Sequence, residues 1–197
     1  MKKKLALFDF DGTITKKDTF IAFLKFSLGY RRLCAGLLRL FPVIILYLMR
    51  IYSNEKAKEI VIRFFYKDWQ EERLKETGRA FAETVLPSLI NPAALDRIIW
   101  HSSQGHIIYV VTASVNYWIE DWTSRHGLGL ISTRLEIRNH RFTGFFLSRN
   151  CYGKEKENRI RTEIILPDFD YIYAYGDSRG DKEMLALADE GFYRKFG

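Results

Sequence analysis

Four stretches of this sequence carry side chains that could do chemistry together. Asp9 and Asp11 stand one residue apart at the end of an apolar run, in LALFDFDGTIT (5–15). Thr112, Ala113 and Ser114 end a second run, HIIYVVTAS. Gly176 and Asp177 end a third, YIYAYGDS, with Asp181 one turn later. Lys154 opens a charged helical stretch between the last two. Carboxylates brought together repel one another unless a cation compensates. A hard divalent ion suits such oxygen ligands, and Mg²⁺ leaves room for water and phosphate. Asp9, Asp11, Asp177 and Asp181 are the expected metal ligands. Thr112, the amides after it and Lys154 suit the non-bridging oxygens of a phosphate. Lys156 is the weaker substitute for Lys154.

Phosphoryl transfer chiefly needs positioning and charge stabilisation, and this set of residues offers both. The two neighbouring aspartates can divide the labour. One carboxylate attacks phosphorus and forms an acyl phosphate. The other, two residues on, gives a proton to the leaving alcohol and later takes one from water.

Such residues converge only if the elements that carry them share an edge. Residues 4–10 are short, apolar and bounded by Asp-Gly, which suits a buried parallel strand; Gly12 permits a tight turn after it. The runs ending at Ser114 and Asp177 read as further core strands, and helical patterns lie between them. Alternating strands and helices predict an α/β fold with a Rossmann-like parallel sheet. Ligands of such sheets gather beyond the carboxyl ends of the strands. Residues 16–90 differ: strand signals vanish and helical spacing takes over. Helices are expected at 20–28, ended by Gly29, and at 33–52, interrupted by Pro42. Two more are expected at 54–69, with Ser53 as N-cap, and at 71–86. This block reads as a helical cap inserted after the first strand of a core comprising 1–15 and 91–197. Further helices are expected at 92–103, 115–126, 154–165 and 181–188. A hairpin is expected within 131–149, and GFYRKF near the end reads as a short last strand.

DFDGTIT, VVTAS, YGK and GDSRGDKEM, in that order, resemble the four motifs of the haloacid dehalogenase superfamily. The resemblance implies that Asp9 is the nucleophile and Asp11 the general acid–base. It gives the second motif's hydroxyl to Thr112 and the third motif's lysine to Lys154. Metal-binding acids then fall at Asp177, with Asp181 in support. A helical insertion at this point is similar to that of the phosphoserine phosphatase-like branch. There an acid soon after the first motif helps hold the substrate's amine. Asp18 stands near that place; a supporting role behind the contact residues is its alternative. Gly12, Ala113 and Ser114 join Asp18 as expected substrate contacts.

The length, 197 residues with 47% hydrophobic, supports a packed core and excludes disorder. Two distant cysteines, Cys34 and Cys151, imply no disulfide framework, so a reducing, cytoplasmic compartment is expected. Lys2–Lys4 resemble the start of a leader, but Asp9 and Asp11 follow too soon. The net charge of +7 concentrates in residues 20–54, which hold Lys25, Arg31, Arg32, Arg39 and Arg50 and no acid. Around those bases, LCAGLLRLFPVIILYLMRIY (33–52) is almost a membrane span, broken by Arg39 and Pro42. A helix pair lying on the inner face of an anionic membrane is the expectation, with a lipid monophosphate as substrate. Similarity to phosphatidylglycerophosphate phosphatases of the same branch supports it. The alternatives are apolar helices packed on the core above a soluble small-metabolite phosphate, and a non-catalytic membrane-surface module. Nucleic acid is not an expected partner, because the bases lie among aliphatic rather than polar aromatic residues.

Overall fold

The apolar run after Lys3 becomes the central strand of a five-stranded sheet. The computed structural model describes residues 3–196; Met1, Lys2 and Gly197, with the extreme ends of the expected core and the start of the leader-like Lys2–Lys4, lie outside the described residues. β1 (Lys3–Phe8) is followed by six helices: α1 (Thr19–Arg39), α2 (Phe41–Leu48), α3 (Asn54–Tyr66), α4 (Glu71–Thr84), α5 (Leu86–Leu89) and α6 (Pro92–Ser103). β2 (Ile107–Val115) leads through a 3₁₀ turn at Asn116–Trp118 into α7 (Glu120–Arg125) and β3 (Gly129–Thr133). Next come β4 (Leu135–Arg138), β5 (Arg141–Phe146), α8 (Lys154–Glu163), β6 (Phe169–Gly176), α9 (Lys182–Leu185) and β7 (Glu190–Tyr193). The sheet order is β3-β2-β1-β6-β7, and every pairing is parallel. The carboxyl ends of β1, β2 and β6 therefore lie side by side.

Both faces of the sheet are covered, which is why its strands read as unbroken apolar runs. Side chains alternate across β1 with period two. Ala6 and Phe8 face one core with Val110 and Tyr175; Leu5 and Leu7 face the other with Ile160 of α8 and Met184 of α9. His101 is buried against the first core, with Nε2 at 2.9 Å from the Tyr175 hydroxyl and Nδ1 at 2.7 Å from that of His106.

The inserted helices follow the expected pattern with two changes. α1 does lose helical geometry at Gly29 (φ 71°), but a helix resumes and runs on to Arg39. The helix expected at 33–52 divides at Leu40, so Pro42 falls in the first turn of α2. A missing N–H is harmless there, since that donor has no intrahelical partner. Ser53 caps α3, accepting from Lys56 N at 3.2 Å, and Asn91 caps α6 from Ala93 N at 3.1 Å. Two chain crossings join the insertion to the sheet at one place: Lys16 N donates to Leu89 O and Asn91 N to Ile14 O, both at 2.8 Å.

The hairpin is narrower than expected, because residues 131–133 belong to β3 in the sheet. Asn139 and His140, both at positive φ (48° and 59°), turn it, as a two-residue hairpin loop requires. It pairs with the insertion rather than with the sheet. Asp68 N donates to Phe142 O, Phe142 N to Trp69 O and Glu71 N to His140 O, at 2.9–3.0 Å. Among the described residues, no helix is long and apolar enough to cross a membrane.

Candidate active site

Asp9 follows β1 directly, and its amide donates to Tyr175 O of β6 at 2.9 Å. That bond ties the turn to the neighbouring strand and leaves the carboxylate at the sheet's edge. Oxygens of Asp9, Asp177 and Asp181 all lie within 4.8 Å of one another. Asp177 follows β6, and Asp181 is fixed behind it: its Oδ2 accepts from Ser178 N (2.9 Å), Ser178 Oγ (2.8 Å) and Asp177 N (3.2 Å). Gly12 lies against this cluster. A Cβ there would come within 2.4 Å of Asp177 Oδ2, and its φ of +86° disfavours any side chain.

One cation enters the cluster, and it is not the one expected. Lys156 Nζ donates to Asp9 Oδ1 (2.5 Å), Asp181 Oδ1 (2.6 Å) and Val111 O (2.7 Å). Its side chain is 1% exposed. Lys154 instead lies 68% exposed on the outer side of α8, paired with Glu157 at 2.6 Å. The reason is helical geometry. Residue 154 is two positions from 156, so it points away from the face that carries Lys156 and Ile160.

Burial shapes the charges here. Desolvation, with Asp181 and Asp11 nearby, pushes the Asp9 carboxyl up to about 8 against the pull of Lys156. Desolvation and Asp181 also raise Asp177. Desolvation opposes the ionised form of Asp181 too, but the Lys156 ammonium outweighs it and holds this carboxyl low. Desolvation likewise opposes the Lys156 ammonium, yet Asp9 and Asp181 hold its pKa above the usual lysine range. Fully ionised, three carboxylates and one ammonium carry −3 + 1 = −2. A hard divalent cation matches that charge and these oxygen donors, so the residues fit Mg²⁺, which Asp9, Asp177 and Asp181 could hold.

Asp11 is close in sequence but differently employed. Its Oδ1 accepts from Thr19 N (2.7 Å) and Thr19 Oγ1 (2.6 Å), and its Oδ2 from Ser114 Oγ (2.5 Å). The side chain is thus turned toward α1 and the end of β2, and it is not one of the three clustered carboxylates. Thr112 is buried, and its Oγ1 accepts from Ser114 N at 3.0 Å. The Ala113 carbonyl accepts from Lys58 Nζ (2.8 Å) and Thr133 Oγ1 (2.9 Å). Asp18 caps α1, accepting from Phe20 N at 2.8 Å. Burial and the Asp11 charge raise its carboxyl.

Lys58 was not anticipated. Desolvation lowers its ammonium, while Asp11 and Asp18 oppose that shift. It stands with Asp18 in a pocket of about 230 Å³ whose other walls include Phe20, Val43, Ile44 and Tyr47. The pocket thus lies between Asp18 and Lys58 and the inner side of α2; Asp9, Asp177 and Asp181 are not in its walls. A periodic signal existed for both lysines. Lys58 precedes buried Ile62 and Tyr66 by four and eight residues, and Lys156 precedes buried Ile160 by four, so each continues a core-facing stripe.

The model of the haloacid dehalogenase-like hydrolase family matches residues 6–186. Protein CicA of Caulobacter vibrioides is 41% identical over 198 residues, covering 98% of this chain and 86% of that protein. A crystal structure of a Bordetella pertussis Tohama I protein with unknown function superposes with a TM-score of 0.84 at 22% identity, over 98% of this chain and 89% of that one. A phospho-aspartyl intermediate analogue of phosphoserine phosphatase superposes with a TM-score of 0.61 at 20% identity, over 98% and 86%.

Proposed function

The chain belongs to the haloacid dehalogenase-like hydrolases, and we propose that within them it is a Mg²⁺-dependent phosphomonoesterase working through an aspartyl phosphate. The observation that carries this is Asp9 at the end of the central strand, grouped with Asp177, Asp181 and Lys156, while Asp11 is held separately by Ser114 and Thr19. An Asp9 oxygen attacks phosphorus as the bond to the leaving oxygen breaks. Asp11 gives that oxygen its proton. Water then attacks the acyl phosphate, Asp11 takes the proton back, and inorganic phosphate leaves with Asp9 regenerated. Bound Mg²⁺ would supply positive charge for the phosphoryl oxygens. Lys156 replaces Lys154 as the lysine of this reading: it fixes Asp9 and Asp181 and compensates part of their charge. Thr112 and the Ala113–Ser114 backbone are the nearby candidates for holding phosphate, and Gly12 keeps the turn clear of Asp177. Residues 16–90 act as the cap, joined there by the hairpin.

For the substrate, the pocket beside Lys58 supports a lipid monophosphate met at a membrane surface. Its walls are largely apolar, and Lys58, which reaches the Ala113 carbonyl after Thr112, is the cation in them. Asp18 and Lys58 together favour a second reading, in which an amine and a carboxylate of a small phosphoserine-like ester occupy the same place. Turnover of lipid against water-soluble monophosphates separates the two. Asp9→Asn tests the chemistry itself. Hydrolysis of an aryl phosphate should vanish while the circular dichroism spectrum is retained, and a fully active, folded variant would end the proposal.

A further inference from the structure

α2 reads FPVIILYL, apolar at all eight positions, and none of them is buried. Its inner side is accounted for: Val43, Ile44 and Tyr47 line the pocket beside Lys58. Phe41, Ile45 and Leu48, spaced four and three apart, form an outer stripe open to solvent, with Leu48 72% exposed. Leu38 before the helix, at 77%, and Met49 and Ile51 after it extend the patch. A contiguous apolar surface of this kind marks an interaction site. Arg39 and Arg50 bracket it, with Arg31 and Arg32 close upstream. No acid occurs between residues 20 and 54. Among the described residues, none of these four arginines forms an ion pair.

We propose that this face docks the protein on an anionic lipid bilayer, with the outer stripe of α2 in the acyl boundary and Arg39 and Arg50 at headgroup phosphates. Charge complementarity selects this occupant. A second copy meeting the same face across a two-fold axis would bring like-charged arginines together. A bilayer offers hydrocarbon for the stripe and phosphate for its flanks. Eight residues extend about 12 Å, far less than the roughly 30 Å hydrocarbon core, so the helix lies in the interface plane. Docked this way, α2 stands between the bilayer and the pocket beside Lys58. That the pocket then receives a lipid rests on the lipid monophosphate reading; the docking does not.

Flotation of the wild-type chain with vesicles tests it, using phosphatidylcholine alone or with phosphatidylglycerol. Neither lipid is a phosphomonoester, so binding is read without turnover. The protein should float with the anionic vesicles only, and less so in high salt. Arg39→Gln/Arg50→Gln should lower partitioning on the order of thirtyfold. Phe41→Ser/Leu48→Ser should abolish flotation while aryl phosphate hydrolysis, which does not use these residues, stays intact and reports folding. Failure to float with either vesicle, or equal flotation with both, overturns the proposal. So does a solution dimer that Leu48→Ser dissociates. Loss of the phosphatase reading would show instead as unchanged hydrolysis in Asp9→Asn.

Discussion

Replacing Lys156 with Met separates the two lysines of α8 and measures what holds the acidic cluster together. The ammonium gives all three of its protons to buried acceptors: Asp9 Oδ1, Asp181 Oδ1 and Val111 O. Methionine has similar length and packs in the same space but donates nothing. Breaking a buried ion pair from one side costs about 3–5 kcal/mol, because the remaining charge is left uncompensated. Losing the charged hydrogen bond to the Val111 carbonyl adds about 1.5–3 kcal/mol. For a chain of this size each kcal/mol moves Tm by about 2–4 °C, so the ion-pair cost alone should lower Tm by about 6–20 °C. The effect should depend on pH in chelator. Asp9, pushed up to about 8 by burial, takes a proton as pH falls and then needs no ammonium beside it. The destabilisation should therefore be larger at pH 8 than at pH 5. Thermal unfolding at both values, with aryl phosphate turnover in Mg²⁺, reads the result. Lys156→Met should also lose turnover, and Lys154→Met should leave both readouts near wild type. An inactive Lys154→Met beside an active, equally stable Lys156→Met would refute the assignment.

Two further outcomes follow from the same geometry. Asp11→Asn should cut hydrolysis of alkyl phosphates by about 10²–10⁴ and of aryl phosphates with acidic leaving groups much less, because those depart without a proton; equal losses across a leaving-group series would exclude Asp11 as the acid. Mg²⁺ at about 100 times its dissociation constant should stabilise the fold by about 2.7 kcal/mol. A urea titration should show this gain, with Asp177→Asn removing most of it; an undiminished gain would exclude Asp177 as a ligand.

The sheet and its acidic edge were legible because both depend on short-range pattern. Apolar runs buried on two sides mark β1, β2 and β6, and parallel pairing places Asp9, Thr112 and Asp177 at one edge. What went astray depended on direction within an element. The YGK motif drew attention to Lys154, whereas the stripe through Ile160 points to Lys156. Asp11 was expected on the metal, yet its carboxylate is turned away by Thr19 and Ser114, a contact between residues 95 apart that no local spacing encodes. The hairpin's own turn was readable, but its partner was not. Phe142 meets Asp68 and Trp69 through backbone groups, which leave no mark in side-chain pattern.

That hairpin gives the molecule a second seam. Chain passes between the layers where Thr15 runs beside Ile90, and again where Leu147 N meets Arg134 O at 2.9 Å. Between those two seams the helical layer also packs on the sheet layer directly, through α4 against the Asn116–Trp118 turn and α7, so separating the layers would expose buried apolar surface as well as break backbone hydrogen bonds.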